Sequence, residues 1–309
     1  MIPFLVSRLT SALLVLSGVS CAVFLLLHMV PGDPVEVMLG ESAAPSDRDA
    51  LRASLGLDQP LLAQLWHYFG SLLQGDLGSS LHSRRPVVEL IAERFPATAE
   101  LAAAALCVAL ALALPLGVTA ALRQGSRWDR GMMVLALFGM SVPSFWLGPL
   151  LALLFSIALG WLPVSGREGF SSIVLPALTL GIGMAAILAR MLRGALLEIL
   201  SEDYIRTAYA KGLSSARVLW CHALPNAALP VVTLLGLQLG TLLSGTVITE
   251  TVFSWPGIGS LMVESINRRD YPSVQGCVLL ISLVYVFLNT LADLVCATID
   301  PRIRLGSNT

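Results

Sequence analysis

Charge is what this sequence has least of. Only 13% of its 309 residues are Asp, Glu, Lys or Arg, about half the ~25% of an average soluble chain. Hydrophobic residues make up 56%, and the mean hydropathy is +0.79. A surface wetted on every side cannot be built from so little charge, whereas a lipid-facing one requires its absence. Lysine is nearly missing: Lys211 is the sole one, preceded by Ala210 and followed by Gly212. That excludes a phosphate-binding Gly-Lys-Ser/Thr loop, in which lysine must reach the phosphates. Neither His-Glu-x-x-His nor Gly-x-Ser-x-Gly occurs, so no residue is assigned a catalytic role and the chain is not read as an enzyme. The formal net charge of −1 gives nothing for nucleic acid to bind. Cys21, Cys107, Cys221, Cys277 and Cys296 show no CxxC spacing and read as small apolar helix residues. His28, His67, His82 and His222 are too scattered to make a metal site.

What is present instead is a series of long uncharged runs. A helix of about 20 apolar residues crosses a bilayer core of roughly 30 Å. The spacing predicts spans over residues 9–30, 101–122, 131–166, 170–189, 223–249 and 271–292. The third is too long for one straight span and too short for two plus a turn. It is expected to be one helix kinked near Pro143 or Pro149, ending at Trp161 as an interfacial anchor. The first run ends in Met29-Val30-Pro31-Gly32-Asp33-Pro34 without a small-x-small cleavage site, so it reads as a span rather than a removable signal.

Basic residues set the expected orientation. With the N-terminus in the cytoplasm, inner segments hold Arg8, then Arg123, Arg127 and Arg130, then Arg190, Arg193, Arg206, Lys211 and Arg217, then Arg302 and Arg304. The short outer loops hold Arg167, Arg268 and Arg269. Positive-inside bias therefore puts both termini in the cytoplasm. The long first outer loop, residues 31–96, should contain two helices. One is capped by Ser46, with Asp47 and Asp49 in its first turn and Gly56 as its stop. The other opens at Pro60, carries an apolar face with Leu61, Leu65, Trp66 and Phe69, and stops at Gly75. Ordinary packing accounts for both.

The inner segment 193–225 is the most informative. Ser201 is a good N-cap, and Glu202 and Asp203 complement the helix dipole. Tyr204, Ile205, Ala208 and Tyr209 recur at spacings of three and four, giving a small apolar face. Lys211 falls in the last turn and Gly212 at the left-handed C′ position. Ser214 or Ser215 can cap a second short helix expected to end by Pro225. Two capped helices meeting at a near-right-angle turn form a rigid knob.

The residues of that knob, Tyr204-Ile205-Arg206-Thr207-Ala208-Tyr209-Ala210-Lys211-Gly212-Leu213 followed by His222-Ala223-Leu224-Pro225, resemble the EAA loop of ABC importer membrane subunits. Ala208, Gly212 and Leu224-Pro225 match that pattern, and Arg206-Thr207 stands where Glu-Ala would open it, as in the peptide/nickel branch. The resemblance continues along nearly the whole chain. It includes His28-Met29-Val30-Pro31-Gly32-Asp33-Pro34, Leu55-Gly56-Leu57-Asp58-Gln59-Pro60, Gly75-Asp76-Leu77-Gly78 and Ser141-Val142-Pro143-Ser144-Phe145. It goes on through Leu175-Pro176-Ala177-Leu178, Thr249-Glu250-Thr251-Val252-Phe253-Ser254-Trp255-Pro256-Gly257, Arg269-Asp270-Tyr271-Pro272 and Asp300-Pro301-Arg302. As an ordered series these strings are similar to the "B"-type first permease of dipeptide, oligopeptide, glutathione or nickel importers.

That resemblance implies an all-α integral membrane protein with six transmembrane helices of the type I ABC importer fold and a long extracytoplasmic loop after the first. It implies a division into residues 1–95 (first helix and outer helical loop), 96–300 (permease core) and 301–309 (tail). The expected partners are a second permease subunit in a pseudo-symmetric heterodimer, two ATPase subunits or domains, an extracytoplasmic substrate-binding protein and membrane lipid. ATP and Mg would be bound by the ATPases, and no cofactor by this chain. Tyr204, Arg206, Thr207, Ala208, Lys211, Gly212, Leu224 and Pro225 would form the ATPase-coupling loop. Three acids at span ends, Glu100, Glu250 and Asp293, are candidates for the pore or a gate, because carboxylates are costly in lipid. An ion-coupled secondary transporter is the alternative, against which the uncharged span centres and the lack of an internal repeat both weigh. A membrane-embedded enzyme is the remaining alternative.

Overall fold

The computed structural model describes residues 2–29, 34–39, 44–54 and 56–299. The motif residues Val30 to Asp33, Leu55 and Asp300-Pro301-Arg302, with Arg304, lie outside that set. Every regular element among the described residues is helical: α1 (Ile2–Met29), α2 (Pro34–Leu39), α3 (Pro45–Ser54), α4 (Leu61–Leu73), α5 (Val87–Leu122), α6 (Arg127–Ser141) and α7 (Ser144–Leu151). They continue with α8 (Phe170–Leu200), α9 (Asp203–Ala210), α10 (Ser215–Val218), α11 (Leu224–Val252), α12 (Ile258–Asn267) and α13 (Tyr271–Ile299). Five helices are long and apolar enough to cross a membrane, and six spans result if the pair formed by residues 127–141 and 144–158 counts as one.

That pair departs from expectation. The run reads as one kinked helix, but it breaks at Val142-Pro143 and turns through 104°. Val142 is extended (ψ 116°), as a residue before proline must be, and Pro143 caps the next helix. Pro149 sits inside α7, and the chain relaxes downstream into π-helical turns over Ala152–Ala158, one way of absorbing a proline's missing N–H.

The chain divides into two compact units. The first comprises Met1–Thr98 and Pro256–Val286. Val87, Ile91, Ile258, Leu261 and Cys277 form its core, with Leu77, Leu90, Met262, Leu280 and Ile281 packed around them. Here α3 starts at Pro45, one residue ahead of the expected Ser46 cap, and Pro60 is the N-cap of α4 rather than its first helical residue. Tyr68 of α4 stacks on Phe24 of α1 at 5.8 Å, and burial pushes its phenol above the ordinary value. Asp270 joins the loop after α4 to the start of α13 by accepting hydrogen bonds from Ser80 Oγ, the Leu81 N–H and Ser273 Oγ.

The second unit comprises Ala99–Trp255 and Phe287–Thr309. Helix α8 is its axis: Leu175, Leu188, Leu192 and Leu196 along its length are almost wholly buried, and it packs against α6, α7 and α11. Small residues bring the backbones together, as membrane packing demands. A Cβ at Gly181 would meet Val108 Cγ1 at 2.6 Å and the Ala105 carbonyl at 2.9 Å, and one at Gly117 would meet the Ala189 carbonyl at 2.9 Å. Leu135, Phe138, Trp146, Ile157 and Phe287 are each more than half exposed, which suits lipid or a partner chain and not water.

Candidate functional site

Helix α8 ends at Leu200, and Ser201 caps its C-terminus, its hydroxyl donating to the Glu198 carbonyl at 2.7 Å. Ser201 is thus not the N-cap of α9. Extended Glu202 (ψ 147°) takes that position without a side-chain cap, because Ser201 keeps helical φ and ψ (−85°, −12°) at the end of α8 and stands one residue too early. Within α9, Thr207 Oγ1 donates to the Asp203 carbonyl at 3.0 Å and Arg206 pairs with Asp203 at 3.2 Å. Both ions of that pair are exposed, so it adds little. Ile205 and Ala208 are buried, at 1% and 6% exposure, whereas Tyr204 and Tyr209 are over 40% exposed. The apolar face is therefore narrower than the four-residue spacing implies.

The end of α9 is closed by both bonds of a Schellman cap. The Gly212 N–H donates to the Tyr209 carbonyl at 2.9 Å, and the Leu213 N–H to the Ala208 carbonyl at 3.3 Å. Lys211 is the C-cap, and Gly212 has φ +81°, which favours glycine. A Cβ on Gly212 would meet no heavy atom within 4 Å, so the backbone alone sets that requirement.

The return path also differs from expectation. Extended Ser214 opens α10, but the helix does not stop before Pro225. It widens into π turns over Leu219–Ala223 and continues as α11, with Pro225 in the first turn. The wider register accommodates the missing proline N–H without ending the helix. Asn226, to which the sequence alone drew no attention, then clasps the two arms. Its Nδ2 donates to Tyr204 Oη at 3.0 Å and to the His222 carbonyl at 2.8 Å. Its place directly after Leu224-Pro225 was the available signal.

The candidate coupling residues thus fall into two sets. Tyr204, Arg206, Thr207, Lys211 and Gly212 are exposed on the knob. Ala208 is buried and Leu224 half-buried beneath it, with Pro225 exposed at the turn into α11.

Two of the three candidate gate acids, Glu250 and Glu100, are connected in the second unit by way of Trp255 and Arg167. Glu250 is fully buried in the last turn of α11. Its carbonyl accepts the Trp255 N–H at 2.8 Å, over a left-handed Ser254 (φ 50°). The guanidinium of Arg167 lies 5.7 Å from the centre of the buried Trp255 ring and donates to Glu100 at 2.6 and 3.0 Å. The Gly166 N–H donates to the Phe253 carbonyl at 2.9 Å and fastens the same loop to the end of α11. Asp293 stands elsewhere on α13, partly buried, and has an interaction partner. Arg167 and Trp255 belong to this arrangement, although in the sequence Arg167 stood out only for its charge and Trp255 only as part of a motif string. Among the described residues no group of His, Cys, Asp and Glu could hold a metal.

A helical membrane subunit with a capped surface knob between two spans is the class that fold and site define. Residues 113–305 match the family described as binding-protein-dependent transport system inner membrane component, and residues 1–102 match the N-terminal family of the same components. The di/tripeptide transport system permease protein DppB of Pseudomonas aeruginosa is 45% identical, over 98% of this chain and 99% of that protein. The glutathione transport system permease protein GsiC of Escherichia coli K12 is also 45% identical, over 98% and 99%. The dipeptide transport system permease protein DppB of that strain is 43% identical over the same shares. A structure of the MetNI methionine ABC transporter in an inward facing conformation superposes with TM-score 0.58 at 20% identity, covering 68% of this chain and 96% of that one. It shares the fold. The chain belongs to the binding-protein-dependent transport inner membrane component family and is a permease subunit of an ABC importer, a pore subunit rather than an enzyme.

Proposed function

We propose that this subunit lines one half of a pathway for short peptides, glutathione included, handed over by an extracytoplasmic binding protein. A second, related permease supplies the other half. The observation that carries the reading is the rigid knob: α9 closed by the Gly212 cap and clasped to α11 through Asn226. A rigid segment transmits a domain movement that a flexible one would dissipate. ATPase subunits, which bind the ATP and Mg, engage its exposed Tyr204, Arg206, Thr207, Lys211 and Gly212, while Ala208, Leu224 and Pro225 set its angle. Both termini are cytoplasmic, an orientation supported by the density of arginine around the knob. The peptide class is supported by the relatives transporting di- and tripeptides and glutathione. Glu100 and Glu250, linked through Arg167 and Trp255, serve as a gate at the opposite end of α11, and Asp293 serves on the pathway along α13.

The test is an affinity pull-down of tagged chain from detergent-solubilised membranes, comparing wild type with Gly212→Trp and Lys211→Glu. Wild type should bring down a second permease and an ATPase. Both variants, whose changes point into open space, should keep the permease and lose the ATPase. An ATPase retained by both variants overturns the knob assignment. A chain that purifies alone and still transports without ATP overturns the whole reading.

A further inference from the structure

Within the second unit, the broken span α6–α7 and helices α8 and α11 enclose a cleft of about 350 Å³. Its polar lining is Ser144, Thr179, Gln238 and Thr241, and no Asp, Glu, Lys, Arg or His is among its lining residues. The threonines have spent their protons. Thr179 Oγ1 donates to the Leu175 carbonyl at 2.8 Å, and Thr241 Oγ1 to the Gln238 carbonyl at 2.9 Å. Gln238 and Ser144 have not. Among the described residues neither the Gln238 Nε2 donors nor the Ser144 hydroxyl makes a hydrogen bond, although Thr241 Oγ1 approaches Gln238 Oε1 at 3.5 Å.

Gln238 stands at the midpoint of α11 (Leu224–Val252), far from either end of its span. A carboxamide with unpaired donors is costly at that depth. Irregular backbone such as Val142-Pro143 is tolerated in a membrane only where protein covers it or where it lines a solvated cavity. Discontinuous helices are also where transport sites form. The cleft volume sits at the lower end of the ~300–1,000 Å³ typical of ligand sites, room enough for a peptide unit together with its flanking atoms.

We propose that this cleft is a transit site for the peptide bond of the crossing solute, with Gln238 Nε2 donating to the peptide carbonyl. The hydroxyl oxygens of Ser144, Thr179 and Thr241 are the acceptors available to the peptide N–H. The uncharged lining makes the site indifferent to side-chain charge, as a carrier of assorted peptides requires. This inference rests on the peptide-importer reading above.

The experiment uses the complete importer, purified through a tag on this chain and reconstituted in lipid vesicles with its binding protein and ATP. Uptake of dialanine, alanyl-lysine and alanyl-glutamate is measured below saturation. Gln238→Leu should lower uptake of all three about fivefold, the effect of one lost hydrogen bond, with solute-independent ATP hydrolysis unchanged. Gln238→Glu keeps the size and adds charge, so it should depress alanyl-glutamate well below alanyl-lysine, an ordering absent from the wild type. A residue that merely packs would not sort solutes by charge. Unchanged uptake in both variants, or equal losses for all three peptides in Gln238→Glu, overturns the site. A wild-type importer that moves none of the three overturns the peptide reading itself.

Discussion

The carboxylate of Asp129 and the guanidinium of Arg193 meet as a two-pronged pair, Nε to Oδ1 at 2.6 Å and Nη2 to Oδ2 at 2.7 Å. Asp129 is only 3% exposed. Its Oδ2 also accepts the Gly125 N–H at 2.9 Å, and its own N–H donates to Ser126 Oγ, the N-cap of α6. The pair therefore fastens the start of the broken span to α8 two turns before the knob.

Asp129→Asn should destabilise the protein by about 3 kcal/mol, the low end for breaking a buried pair, since it strands an Arg193 guanidinium that is still a quarter exposed. Arg193→Lys should cost nearly as much, because lysine cannot reproduce the fork. Thermal unfolding of the detergent-solubilised chain measures both. Additive losses in the double variant Asp129→Asn/Arg193→Lys would mean the two residues act independently.

Gly212 supports a sharper separation of causes. Its φ of +81° strains any β-carbon by about 1 kcal/mol, yet a Cβ there meets nothing within 4 Å. Asparagine tolerates the left-handed region and alanine does not. Gly212→Asn should therefore retain more ATPase in a pull-down than Gly212→Ala, despite its larger side chain. The reverse order would mean that size at the docked surface, not the cap, is what matters.

The left-handed turn at Gly212 was legible in the sequence because glycine after a short periodic segment has one common use. The equivalent turns at Ser254 and Arg269, with φ 50° and 54°, were not, because neither residue advertises such a conformation. The spans were legible from their uncharged length. The 104° break was read only as a kink, since proline removes a donor wherever it stands but cannot say how far the chain turns. The chemistry of the knob was carried by local order along the chain. The pairs Asp129–Arg193 and Glu100–Arg167 join residues more than sixty apart, which no local periodicity encodes. Gln238 passed unnoticed because one amide in an apolar run reads as tolerated rather than exposed to a cleft.

Gly181 is one of the positions where α5 and α8 pack tightly. Its added Cβ would sit 2.6 Å from Val108 Cγ1 and 2.9 Å from the backbone oxygen of Ala105, and the latter cannot move without displacing the helix. Gly181→Ala should cost about 1–3 kcal/mol by overpacking. Pairing it with Val108→Ala should recover only part of that loss, because the carbonyl contact remains. The midpoint of thermal inactivation in detergent reports both, and full recovery in the double variant would locate the clash entirely in the valine.

Asp270 in the first unit accepts from three neutral donors, the hydroxyls of Ser80 and Ser273 and the Leu81 N–H. Ser80, Ser273 and Asp270 are all at most 5% exposed. Ser80 Oγ in turn accepts the N–H groups of His82 and Ser83, so the carboxylate orders the loop ahead of α5 through one intermediary. Asp270→Ala leaves buried donors unmatched, at about 1–3 kcal/mol for such groups. Its effect should be local, with hydrogen exchange accelerating over residues 79–86 while protection in the core of α8 is preserved. Asp270→Asn should be milder, since the amide oxygen can still accept the Leu81 N–H and Ser273 Oγ can rotate to accept from the new amide. Acceleration spread evenly over the chain in Asp270→Ala would show instead that this carboxylate holds the whole fold rather than one loop.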